Sequence, residues 1–112
     1  MLPDRTLKYI LDIESIIAEI EEVKLSVSNN FELFRNDLKA TRSIERQLEI
    51  IGEAANKINQ INPSIKISGI KGIISLRNYI IHSYDTVDHQ ILWGIIQKDI
   101  PVLAKDLKDL RS

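Results

Sequence analysis

Residues 46–58 read RQLEIIGEAANKI. Leu48, Ile51, Ala55 and Ile58 return at steps of three and four, the spacing that lines one face of an α-helix. Alternation of period two, the mark of a half-buried strand, is missing from the stretch. Followed backwards, the same stripe takes in Ile44 and Leu38, so the spacing predicts a helix from about Asp37 to Asn59. Gly52 lies inside it, at a cost of about 1 kcal/mol against alanine. Close approach of another helix is the packing reason that best accounts for a glycine there. The stretch therefore predicts helix packed on helix.

The flanks repeat the pattern. Upstream, Leu7, Ile10, Leu11, Ile13, Ile17, Ile20, Val23 and Val27 predict a helix from about Asp4 to Ser28, with Asp4 as its N-cap and SNN at 28–30 ending it. A short turn at Phe31 to Phe34 is expected to pack its two rings on the core. Downstream, Pro63 in NQINPS disfavours helix at the residue before it. A third helix is expected from near Ser68 to about Ser83. Asp88 is placed to cap a fourth, from about His89 to Leu110, with Ile91, Ile95, Ile96, Ile100, Leu103, Leu107 and Leu110 inward. Pro101 falls inside that pattern and should kink or divide the helix. Short connections favour antiparallel neighbours. The expected fold is all-α: an up-down bundle of four main helices in a single domain spanning residues 1–112.

Composition narrows the function classes. With 44% hydrophobic and 28% charged residues the chain is globular in character. It has no cysteine, which excludes a disulfide framework, a thiolate metal site and a cysteine nucleophile. No dense carboxylate cluster suggests a metal, and no glycine loop suggests phosphate cradling. No apolar run approaches the roughly 20 residues that span a membrane. The N-terminus carries acidic residues where a signal peptide needs an apolar run. A soluble, cytoplasmic protein without a cofactor is expected. The net charge of −1 disfavours strong, nonspecific binding to duplex nucleic acid but leaves room for a small RNA site.

The polar chemistry concentrates in RNYIIHSY, residues 77–84. Arg77 and Tyr84, seven apart, nearly eclipse on a helix, and Asn78 and His82, four apart, share the adjacent ridge. Together they spread a polar sector over roughly half the circumference. Leu76, Ile80 and Ile81 are left to anchor the helix, and Tyr79, on another face, is expected to pack. Histidine can take and give a proton near neutral pH. Arginine offers a fixed fork suited to phosphate and to the charge of a phosphorane-like transition state. Asparagine can orient the imidazole or bind a phosphate oxygen. RNA supplies its own 2′-hydroxyl nucleophile, so these groups suffice for cleavage without a metal. Arg77 and His82, five apart, do not point the same way; if they share a chemical site, a second copy of the helix across a two-fold axis could supply one of them. The same spacing also describes a solvated polar face, and the residues alone leave both readings open.

RNYIIHSY resembles the Arg-x4-His-x-Tyr motif of HepT-like proteins of the HEPN superfamily. RQLEIIGEAANKI resembles that family's second-helix block, and VDHQILWGIIQKDIPVL, residues 87–103, its last block, including the acidic step at Asp99, Ile100 and Pro101. The three blocks stand in family order over about residues 4–110. NPSIKISGI departs from the family in lacking an aromatic and a second proline before the third helix. The resemblance implies a homodimeric helical bundle with the motif helices meeting near the two-fold axis. It implies the toxin of a toxin–antitoxin pair, a metal-independent endoribonuclease with Arg77 and His82 as the catalytic pair and Asn78 as polar helper. The implied partner is an MNT-type nucleotidyltransferase antitoxin that transfers AMP to the motif tyrosine, here Tyr84. Glu49 and Glu53, in the second block, are candidates to support the motif or the dimer. The alternative is a non-catalytic helical subunit that binds the nucleotidyltransferase and positions its substrate. The third is a structural oligomer whose polar sector is only solvated. His89 is expected at the surface, and Trp93 with the phenylalanines in the core or an interface.

Overall fold

A computed structural model describes residues 2–65, 67, 69–82 and 87–112, with Ile70, Lys71 and Ile81 described by their backbone alone. Among these residues every regular element is helical. The order is α1 (Asp4–Ser26), α2 (Phe31–Arg35), α3 (Leu38–Ile61), α4 (Ile70–His82), α5 (His89–Gly94), a π-helical segment (Ile95–Asp99) and α6 (Ile100–Arg111).

Side chains set three of the starts. Asn30 Oδ1 accepts from the Leu33 N–H at 3.0 Å, opening α2. Asp37 Oδ1 accepts from Ala40 N–H at 3.0 Å, opening α3, and Asp88 Oδ1 accepts from Gln90 N–H at 2.8 Å, opening α5. Each satisfies a donor that the first helical turn leaves unpaired. Asp4 behaves otherwise than expected. Pro3 precedes the helix without a side-chain cap, and Asp4 is already helical. Its carboxylate there meets the positive end of the helix dipole, not one specific N–H. The far end of α1 closes earlier than Ser28. Ser28 and Asn29 take φ of 55° and 49°, and their N–H groups return to Leu25 and Lys24 carbonyls at 3.0 and 2.8 Å. That pair of bonds is the Schellman stop, made here without glycine.

The core is an isoleucine and leucine stripe from each long helix. Ile10, Ile13 and Ile20 of α1 meet Ile44, Leu48, Ile51 and Ile58 of α3, and Leu92, Ile96, Ile100, Leu103 and Leu107 close it. Phe34 is fully buried, with its ring 5.0 Å from Trp93 and 6.3 Å from His89, while Phe31 packs on Trp93 at 6.0 Å. Both rings and Trp93 thus join the core, and His89 sits half-buried at its edge. Three predicted inward residues are exposed: Leu11, Leu38 and Ile91. Each fits a three-or-four step, yet the step alone does not bury it. Thr6 and Thr41 are buried instead.

Two contacts fix the direction of the last helices against α1. Arg111 Nε donates to both Glu14 carboxylate oxygens at 2.9 Å, and Lys24 Nζ donates to the Ile96 carbonyl at 3.5 Å. Early α1 meets late α6, so the two run antiparallel. Pro101 divides the last helix as expected. It cannot donate a hydrogen bond, and its ring crowds the carbonyl four residues back. The turn before it widens: Ile100 N–H bonds Ile95, five residues back, giving the π segment. Gln97 Nε2 donates to Asn29 Oδ1 at 2.6 Å, tying that segment to the end of α1.

Candidate functional site

The site is carried by α4 and seated on α3 at Gly52. A Cβ built on Gly52 would lie 2.5 Å from Arg77 Cβ and 3.1 and 3.2 Å from its Cγ and Cδ. The two helix backbones therefore approach through the space that any larger residue would fill. The glycine in the second-helix block has the packing reason expected of it, and the partner in that contact is Arg77.

The seat decides where the Arg77 fork goes. With the stem lying over Gly52, Nη1 donates to Asn78 Oδ1 at 3.2 Å, and Nη2 lies 3.8 Å from Glu53 Oε1. Arg77 is only partly exposed and Glu53 is about half-exposed. Arg77 Nε is buried and has no acceptor among the described residues. The guanidinium is thus steered outward by two polar neighbours. His82 is the last residue of α4 and is exposed, as is Asn78.

The predicted residues are brought together unevenly. Arg77, Asn78 and Glu53 form one cluster. Glu49 turns elsewhere, with its carboxylate 3.4 Å from Arg46 Nη1 on the same helix. Tyr84 lies outside the described residues, as do Ser68 and Ser83, the expected ends of the third helix. Tyr79 does not pack away as expected: it is 38% exposed. Its hydroxyl accepts from the Asp88 N–H at 3.3 Å, linking the last turns of α4 to the start of α5. Ile80 is buried and Leu76 partly buried, so the anchoring expected of those two is as observed. The sequence carried a signal for Gly52 as a close approach, but none that named Arg77 as its partner. The Tyr79–Asp88 link had no sequence signal.

The family model described as "Ribonuclease HepT-like" matches residues 13–110, a span that contains the whole cluster. The chain belongs to the HepT-like ribonuclease family. Among curated relatives, the "Probable ribonuclease HepT" of Thermococcus cleftensis is 35% identical over 108 residues, covering 93% of this chain and 94% of that protein. A protein of Caldanaerobacter subterraneus subsp. tengcongensis named "Putative RNase" is 35% identical over 100 residues, covering 88% of this chain and 89% of its own length. A Methanocaldococcus jannaschii protein, also named "Putative RNase", is 28% identical over 103 residues, covering 87% and 94%. No solved structure matches the chain. The HepT-like match runs from α1 to α6, so both the Gly52 seat and the α4 motif lie within the family's own span. Among the described residues no helix is long and apolar enough to cross a membrane.

Proposed function

We propose that this chain is a metal-independent endoribonuclease, the toxin half of a toxin–antitoxin pair, acting as a homodimer of up-down four-helix bundles. The carrying observation is the Arg77 cluster: a guanidinium seated over Gly52 and aimed by Asn78 and Glu53, one and a half turns from an exposed His82.

In this mechanism Arg77 binds the scissile phosphate, displacing the loosely held Glu53 carboxylate. Its planar fork then stabilises the extra charge of the pentacoordinate transition state. His82 removes the proton of the RNA 2′-hydroxyl, and the 2′-oxygen forms a bond to phosphorus. The bond from phosphorus to the 5′-oxygen breaks. The leaving oxygen takes a proton from a second imidazole, that of His82 of the partner subunit. A 2′,3′-cyclic phosphate and a 5′-hydroxyl are the products. Divergence of Arg77 and His82 around one helix supports the need for two subunits, and Arg77 Nε, which has no acceptor among the described residues, is a donor left for phosphate.

Tyr84 is the proposed control point. An MNT-type nucleotidyltransferase antitoxin would transfer the adenylyl group of ATP to the Tyr84 hydroxyl, releasing pyrophosphate. The added phosphate charge and adenosine bulk would then repel and occlude RNA.

Incubating purified dimer with RNA in EDTA tests the nuclease. Cleavage is expected, and His82→Ala should abolish it while leaving the dimer folded. An unchanged rate in that variant refutes the assignment. The net charge of −1 favours a second reading, a non-catalytic subunit that binds the nucleotidyltransferase. That reading expects no cleavage, with or without the partner.

A further inference from the structure

Between α4, the π segment and α6 lies a half-open cavity of about 270 Å³. Ile73, Leu76, Ile95 and Val102 form its apolar wall, with Gly72 opening space beside them and Asp99 completing the lining. Ile73 is buried, Leu76 and Ile95 are half-buried, and Asp99 and Val102 are exposed. The cavity is therefore deep and apolar at one end and open at the other, where the charge sits. An apolar cavity of about 150 Å³ already holds benzene, so this volume takes a ligand of six or more heavy atoms.

Three observations mark it as more than a packing fault. Among the described residues Asp99 is the one charged residue in the lining, and none of them pairs with it in an ion pair or side-chain hydrogen bond. Ile95 and Asp99, the two lining residues from that helix turn, are the first and last residues of the π segment. Such single π turns recur at functional sites. The proline that forces the widened turn belongs to the Asp99-Ile100-Pro101 step, which the nuclease chemistry leaves unused.

An apolar cleft ending in an exposed carboxylate complements an apolar stem ending in one positive charge. The geometry points to a binding site for an aliphatic primary ammonium group of four to six carbons, whose stem packs on Ile73, Leu76 and Ile95 and whose head pairs with Asp99. A free alkylamine and a lysine side chain share that chemistry. No nuclease residue takes part, so the site stands or falls independently of the ribonuclease reading.

The full chain, labelled with nitrogen-15, is titrated with n-hexylammonium and separately with n-hexanol, following the amide signals of Gly72, Ile73, Ile95 and Val102. Saturable shifts with the amine are expected, with tighter binding than for the alcohol. Asp99→Asn should weaken the amine roughly three-fold, the scale of an exposed ion pair, and leave the alcohol unchanged. Gly72→Leu should weaken both, since a Cβ at Gly72 meets nothing within 4 Å and the added isobutyl group stands at the cavity lining. Competition by Nα-acetyl-lysine N-methylamide assigns the site to a partner's lysine, and lack of competition assigns it to free amines. Equal affinity for amine and alcohol, or an amine affinity unmoved by Asp99→Asn, overturns the assignment. So does the absence of any saturable shift.

Discussion

Gly52→Ala is the substitution in which the geometry makes a prediction opposite to the usual one. In an open helix the change stabilises by about 1 kcal/mol, through restricted backbone freedom and better propensity. Here the new methyl would sit 2.5 Å from Arg77 Cβ, whereas ordinary van der Waals contact begins at 3.4 Å. The obstacle is the root of a side chain, which cannot swing aside as a chain tip would. The α4 backbone must retreat by roughly 1 Å, and overpacking of that kind costs typically 1–3 kcal/mol. Set against the propensity gain, a net loss of roughly 0–2 kcal/mol is expected. For a domain of this size the corresponding fall in melting temperature is up to about 8 °C. Urea unfolding followed by circular dichroism, at matched protein concentration because association contributes, reads it directly. Under the proposed nuclease mechanism the activity consequence is larger. Arg77 moves with α4, and a misplacement of about 1 Å at a catalytic group can cost on the order of 100-fold in rate. Gly72→Ala is the control: nothing lies within 4 Å of its built Cβ, so it should gain up to about 1 kcal/mol. If Gly52→Ala were stabilised as much as Gly72→Ala and cleaved RNA at full rate, the seating of Arg77 over Gly52 would be wrong.

Phe34→Ala removes a fully buried ring packed on Trp93 and should cost about 3–5 kcal/mol, enough to unfold much of the population, as read by denaturation of the purified variant. Asp88→Ala deletes the cap of α5 while keeping the backbone N–H that bonds Tyr79; a loss of about 1 kcal/mol is expected in urea unfolding. Glu53→Gln takes away a half-exposed partner of Arg77 at 3.8 Å, so stability should change by less than about 1 kcal/mol. Its effect should appear in RNA binding, where a competitor for the guanidinium is gone, and unchanged KM with unchanged kcat would argue that Glu53 does not hold the fork. Arg77→Lys keeps the charge but not the planar fork, and a rate no lower than that of the parent would remove the case for bidentate phosphate binding.

What the sequence made legible was whatever one helix determines by itself. The stripes through Ile10, Ile13, Ile17 and Ile20 and through Ile44, Leu48, Ile51 and Ile58 follow from the helical period, and the structure buries all of them. Asp88 caps as expected because a short acceptor precedes an apolar period, and Asp37, where the second helix is expected to begin, does the same. Misreadings arose where a second element decides. Leu38 and Ile91 keep the period, yet burial requires a neighbour across the arc, and both are exposed. Asp4 was a suitable cap by type, but the chain enters α1 one residue earlier, through Pro3.

The site divides along the same line. The polar sector of α4 is a property of the sequence, since residues 77, 78 and 82 sit on adjacent ridges of any helix. Which of them becomes a directed donor is a property of register between two helices. A stem over Gly52 sends the guanidinium to Asn78 and Glu53; the same arginine one residue along would point into solvent. Glycine announced the close approach because its only advantage inside a helix is the space it leaves, but that space has no sequence label for its occupant. The distinction explains why Glu53 and Glu49, one turn apart in the same block, end differently. Glu53 is adjacent to the seat and meets Arg77, while Glu49, a turn earlier, is left with Arg46 on its own helix. Spacing proposes the groups that have the chemistry, and the helix contact selects which of them can act together.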